Sequence, residues 1–163
     1  MELKKRLDFR LVLVVIYFVA FGIYVFFGLQ PVGAKKYEIS ASLQVPSINL
    51  NSAVTALELE GRELKTPEYI VGSYTRSENK ILLLGHSSTV FKNLDQIKLS
   101  EEINYDGLNY KIVEIELIEK SKIKMGELLK SAEKKTLILM TCAGEDLGGG
   151  DATHRLIITA EAE

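Results

Sequence analysis

Apolar residues follow two different rules along this chain. Residues 11–29 read LVLVVIYFVAFGIYVFFGL, nineteen positions without a charge and apolar on every helical face. At about 1.5 Å per residue, a helix of that length covers roughly 28 Å, close to the hydrocarbon thickness of a bilayer. A core helix of a small soluble domain normally keeps a polar face, so the run predicts a transmembrane signal anchor. The tail 1–10 carries Lys4, Lys5, Arg6 and Arg10 against Glu2 and Asp8. The positive-inside rule then predicts a single-pass protein with a cytoplasmic N-terminus and the remainder outside the cell membrane. A cleaved signal peptide is the alternative, because Val32-Gly33-Ala34 is a small-residue site. The apolar stretch of such a peptide usually runs about 7–15 residues, which favours the anchor. Residues 30–38 hold Pro31 and Gly33 and read as a linker.

From residue 39 the pattern changes to short β-like runs between turn signals. They are 39–45, 69–74, 81–84, 110–119, 136–141 and 155–160. The run 110–119 alternates, with Val113, Ile115 and Leu117 on one side, so its odd-numbered face is expected to be buried. The runs 81-ILLL-84 and 136-TLILMT-141 are apolar on both faces and predict fully buried strands. Gly61 and Asp106-Gly107 mark turns. Helical signals are few. Phe91, Leu94 and Ile97 stand three apart, and residues 125–132 are a second candidate. Short strands with one or two short helices predict an all-β barrel or sandwich.

Charge narrows the function classes. The whole chain holds 20 basic and 22 acidic residues, of which four and two precede residue 11, so the rest is mildly acidic at a formal −4. No basic stripe with interleaved aromatics appears, which argues against nucleic acid as a partner. The only histidines are His86 and His154, and no Cys/His cluster has zinc spacing. No metal or other cofactor is called for.

Cys142 is the only cysteine. In an exported domain an odd cysteine suggests intermolecular pairing or a reactive thiol, whereas a lone cysteine elsewhere is most often a small buried hydrophobe. Its neighbours along the strands favour reactivity. If 136–141 and 155–160 are antiparallel neighbours joined by the loop 143–154, Cys142 and Arg155 share one rim. If 81–84 runs parallel to 136–141, His86 reaches the same rim. A thiolate nucleophile, an imidazole to move its proton and a guanidinium to hold an oxyanion suffice for acyl transfer. His154 is expected to point away. Glu145, Asp146 and Asp151 are candidates to hold a cation or orient His86. Gly148-Gly149-Gly150 lacks a following helix or a Walker-type lysine and reads as a mobile loop.

These segments resemble the sortases, bacterial surface cysteine transpeptidases. The likeness lies in 81-ILLLGHSSTVFKNLDQI-97, 138-ILMTC-142 and 155-RLIITA-160, with 43-LQVPSINLNSAV-54 similar to the family's opening strand and Pro-containing turn. Ile138 stands where the family usually has threonine. The resemblance implies an eight-stranded β-barrel over residues 39–163, with His86, Cys142 and Arg155 as the catalytic triad and Thr141 beside the bound peptide. It implies cleavage of an LPxTG-like sorting motif at its Thr–Gly bond and transfer to an amine of the cell envelope or of another surface protein. It leaves open a calcium requirement, known for some members. The short loop 143–154 departs from the family and bears on substrate preference, while the lack of a second span and of room for a long N-terminal lid argues against the pilus-polymerising type. An L,D-transpeptidase would offer Ser-x-Gly-Cys, and a papain-like peptidase would place its cysteine before its histidine. The alternative from another class is a non-catalytic, membrane-tethered β domain that binds a surface partner.

Overall fold

The computed structural model describes residues 17–19, 37–61, 63–149 and 151–163. The chain divides into two units, Met1–Lys36 and Tyr37–Glu163. The tail, the expected anchor and the start of the linker lie outside the described residues, except that residues 17–19 are helical and exposed. Among the described residues no helix is long and apolar enough to cross a membrane.

Among its described residues the second unit contains ten strands: β1 (Ile39–Val45), β2 (Leu50–Ala56), β3 (Leu59–Glu60), β4 (Glu63–Leu64), β5 (Val71–Ser77), β6 (Lys80–Leu84), β7 (Glu102–Tyr105), β8 (Leu108–Glu119), β9 (Thr136–Gly148) and β10 (Asp151–Ala162). Eight of them close a barrel in the order β1-β2-β5-β6-β9-β10-β8-β7, while β3 and β4 form a small separate hairpin. The expected all-β, eight-stranded barrel is present. Most neighbours are antiparallel, but β2 with β5 and β6 with β9 run parallel. A parallel pair puts both strand ends at the same mouth, and this places the site.

The apolar pattern explains why β6 and β9 lie at the centre. Leu83, Leu137 and Leu139 fill the barrel lumen with Phe91, Leu94 and Ile158. Leu82, Leu84, Ile138 and Met140 point to the other face, where Leu128, Leu129, Ile123, Leu57 and Leu64 cover them. Both faces are buried, as the unbroken apolar runs require. Each fully buried leucine contributes about 1.5–3 kcal/mol relative to an exposed one.

Four local readings need correction. The odd face of β8 is not uniformly inward: Tyr110 and Ile112 are buried, whereas Val113 and Leu117 are exposed. The β10 register passes from Glu114 to Ile112, skipping Val113. That bulge switches the inward parity within the strand. Second, the Phe91, Leu94 and Ile97 stretch is a series of turns ending in a 3-10 turn at Leu94–Gln96. Spacing by three without the four-residue partner is the 3-10 period. All three side chains are still buried. Third, the candidate helix at 125–132 is one turn, Met125–Leu128. Fourth, the connection 143–154 is a hairpin rather than a loop. β9 runs through to Gly148 and β10 starts at Asp151, with register shifts beside Asp151, Ala152 and His154. The turn signals at Gly61 and Asp106-Gly107 hold, each with positive φ.

Candidate active site

Three adjacent strands place the three expected groups. Leu84 on β6 is the parallel partner of Met140 on β9. Two residues further on, His86 leaves β6 beside Cys142. On the other side of β9, Arg155 of β10 is the antiparallel partner of Cys142. Directly opposed residues in such a ladder have Cα atoms about 4.5–5.5 Å apart and side chains on one face. Cys142 therefore stands between the imidazole-bearing chain and the guanidinium-bearing chain. It is half-buried. His86 and Cys142 line the same two clefts, and Arg155 lines one of them.

His86 is held by its backbone and by its ring. Its carbonyl accepts from the Phe91 N–H at 3.0 Å and the Thr89 N–H at 3.2 Å. Its Nε2 lies 3.3 Å from the Thr66 carbonyl. A carbonyl only accepts, so Nε2 carries a hydrogen and Nδ1 is the nitrogen left to exchange a proton. Gly85 makes the turn possible. A Cβ there would lie 2.6 Å from the Phe91 ring and 2.7 Å from Val90.

Thr141 is buried, and its hydroxyl donates to the Gly85 carbonyl at 2.8 Å. It lines both clefts, but its hydrogen bond ties β9 to the residue before His86. Gly144 lets β9 continue past Cys142. Its φ is +82°, and a Cβ would approach Thr153 Oγ1 to 2.5 Å and His154 Nδ1 to 2.7 Å. His154 bonds Thr153 Oγ1 at 2.8 Å and lines neither cleft, in keeping with its expected outward direction.

Arg155 is not a solvated charge; its side chain is 15% exposed. Nη1 donates to the carbonyls of Ala152 and His154, both at 2.9 Å. Nη2 donates to Asp151 Oδ1 at 2.7 Å. Lys120, just after β8, bonds the other Asp151 oxygen. Lys120, then Arg155, then the Ala152 N–H hold the Asp151 carboxyl far below the usual carboxylate range. Asp151 thus serves Arg155 rather than His86. Sequence reasoning missed this grip, the Thr66 contact and Lys120. Only the acidic residue four before an arginine hinted at the first.

The two clefts differ. One, of about 680 Å³, opens over the lumen beside Phe91, Leu117 and Leu156 and carries Asp95, Asp146 and Asp151 against Lys92. The other, of about 800 Å³, lies on the outer face over Leu84, Leu129 and Met140 and carries Lys65, Arg76 and Arg155 against Glu63 and Asp151. They meet at Cys142 and His86. Among the described residues, no group of three or more His, Cys, Asp or Glu side chains is placed to hold a metal ion.

Comparison with known proteins agrees with the fold. The Sortase domain family model matches residues 43–163. Similar solved structures include sortase A from Corynebacterium diphtheriae (22% identity, TM-score 0.60), of which this chain spans 62% of the length with 78% of its own. Sortase C-1 from Actinomyces oris matches at 21% identity and TM-score 0.60, over 77% of this chain and 72% of that one. A Clostridium perfringens sortase D5 transpeptidase matches at 22% identity and TM-score 0.61, over 78% and 81%. At these identities the structures establish the fold. No curated protein matches the chain. The family model covers most of the sequence, from within β1 to the last residue of the barrel domain, and on that ground the chain belongs to the sortase family of cysteine transpeptidases.

Proposed function

We propose that the protein is a membrane-anchored sortase that cleaves an LPxTG-like motif between Thr and Gly and transfers the new acyl group to an amine. The observation that carries the reading is the placement of Cys142 between His86 and Arg155 at one barrel mouth, where two clefts meet. Cys142, paired with His86, attacks the threonine carbonyl as a thiolate. Arg155 donates to the oxyanion as charge develops there. His86 protonates the departing glycine amine, and a thioester remains on the sulfur. An acceptor amine then attacks the thioester, giving up a proton to His86 and releasing the thiolate.

The charge of the clefts supports a division of labour. The outer cleft, floored by Leu84, Leu129 and Met140, suits the apolar side chains of a sorting peptide. The acidic cleft over the lumen suits a cationic amine. Thr141 borders both and in this reading flanks the bound peptide. Residues 11–29 anchor the enzyme with its N-terminus in the cytoplasm and its catalytic domain outside. Its substrates are then surface proteins, and its acceptor an amine of the cell wall or of another protein. The anchor rests on the nineteen uncharged residues of that span.

Mass spectrometry tests the chemistry. Incubation with a library of LPxTG-type peptides is expected to leave an acyl-threonine adduct on Cys142, absent in Cys142→Ala. A folded protein that gives no adduct, and whose thiol does not react with a small methanethiosulfonate, would sink the transpeptidase in favour of a binding domain. Protease accessibility in intact cells checks the topology. Digestion of the catalytic domain from outside is expected, and protection would reverse it.

A further inference from the structure

We propose that Asp151 is a positioning residue for Arg155, fixing the guanidinium at the rim, with Lys120 keeping the assembly net cationic. The inference rests on the transpeptidase reading above and extends it to residues outside the expected triad.

The geometry is specific. Arginine has five N–H donors in one plane. Two of them, both on Nη1, meet carbonyls of Arg155's own strand. Among the described residues, Asp151 is the group that engages Nη2. The carbonyls hold the fork at Nη1 and Asp151 holds it at Nη2, so Asp151 sets how the fork swings about the Nη1 corner. Among the described residues, no protein acceptor meets Nε–H, which would then be open to a substrate carbonyl.

The backbone is shaped for this contact. In a regular strand, residues four apart are separated by about 13 Å, beyond easy reach. Register shifts between Asp151 and His154 shorten that path and turn Asp151 back toward Arg155. Bulges of this kind re-aim side chains next to active sites.

Charge explains the third member. A lone carboxylate on Arg155 would offset the positive charge that an oxyanion needs. Lys120 occupies the second carboxylate oxygen, so the trio carries one net positive charge. Asp151, like any carboxylate, is ionised throughout the neutral range, and its cationic partners extend that to lower pH.

The experiment uses the whole domain with Asp151→Ala, Asp151→Glu and Lys120→Met. Acylation by a sorting peptide is expected to slow roughly 10- to 100-fold in Asp151→Ala, in kcat more than in KM, because a misplaced group acts on the transition state. Asp151→Glu is expected to recover part of the rate and Lys120→Met to lose less than Asp151→Ala. Alkylation of Cys142 by iodoacetamide is expected to be unchanged. A second readout needs no substrate. In 15N-resolved NMR, the Arg155 Nη–H resonances are expected to be separate and slowly exchanging, and to merge in Asp151→Ala. Asp151→Ala acylating within about threefold of the parent, or Arg155 resonances indifferent to the substitution, overturns the proposal. If the parent protein forms no acyl-enzyme with any peptide, the transpeptidase reading falls, and the resonances alone decide the role of Asp151.

Discussion

The strands β6, β9 and β10 each have two halves that obey different physics. In the barrel body, Leu83, Leu137, Leu139 and Ile158 are fully buried and touch other apolar side chains. At the rim, Gly85-His86, Thr141-Cys142 and Arg155 are held by named hydrogen bonds, and their side chains meet open clefts. Packing in the body is non-directional, so it specifies a volume. The rim specifies directions. The body should therefore govern stability and the rim should govern rate.

The largest effect expected at the rim is that of Cys142→Ala, which removes the sulfur. Peptide cleavage should fall to background while the melting temperature barely moves; a matching loss of stability would erase the contrast. Next is Arg155→Lys. A compact ammonium cannot reproduce the planar fork, and loss of an oxyanion donor typically slows turnover about 10²–10³-fold. Near-normal turnover in steady-state assays would mean that charge alone is needed there. The body gives the opposite signature. Leu139→Ala should lower the unfolding free energy by about 2–5 kcal/mol in urea titrations and leave the turnover of the folded fraction intact.

Gly85→Ala sharpens the comparison because Gly85 belongs to both halves. The added Cβ meets the buried Phe91 ring, so a loss of about 1–3 kcal/mol is expected. The same shift displaces His86, so activity should fall as well; a purely thermal defect would separate the rim from its support. The smallest effect concerns acid. Asp151 has a depressed folded pKa, so its contribution to stability is present above the unfolded value of about 4. It is lost as pH falls through the folded value. The stability gap between the parent and Asp151→Ala should narrow below about pH 4, as followed by thermal melts at several pH values.

The fold was legible where one periodic signal dominated. β1 occupies residues 39–45 as read, and β6 and β9 announced their double burial through unbroken apolar runs. β2 and β7 did not stand out as separate runs. The bulge at Val113 was invisible because alternation on either side of it looks continuous. Small residues such as Ala143, Gly144 and Gly148 hid the extension of β9, since a strand without apolar alternation reads as loop. At the site, His86, Cys142 and Arg155 could be read as sharing a rim only on the condition that 136–141 and 155–160 are antiparallel and 81–84 and 136–141 parallel, pairings that the strand ladders contain. The contacts that orient them could not be read. Thr66 lies across a hairpin excursion, and the reach of Asp151 depends on register shifts that no residue type encodes.

The parallel pairing of β6 with β9 also has a consequence for folding kinetics. Cys142 and Arg155 share a hairpin and meet through a short closure. Thr141 and Gly85 are 56 residues apart, so the imidazole joins only after a long, entropically costly contact forms. We expect turnover of a sorting peptide to be regained more slowly than strand structure when the chain refolds, as stopped-flow circular dichroism beside a double-jump activity assay would register. The thiol and the guanidinium then meet early, and the imidazole arrives last, when the ring of strands shuts.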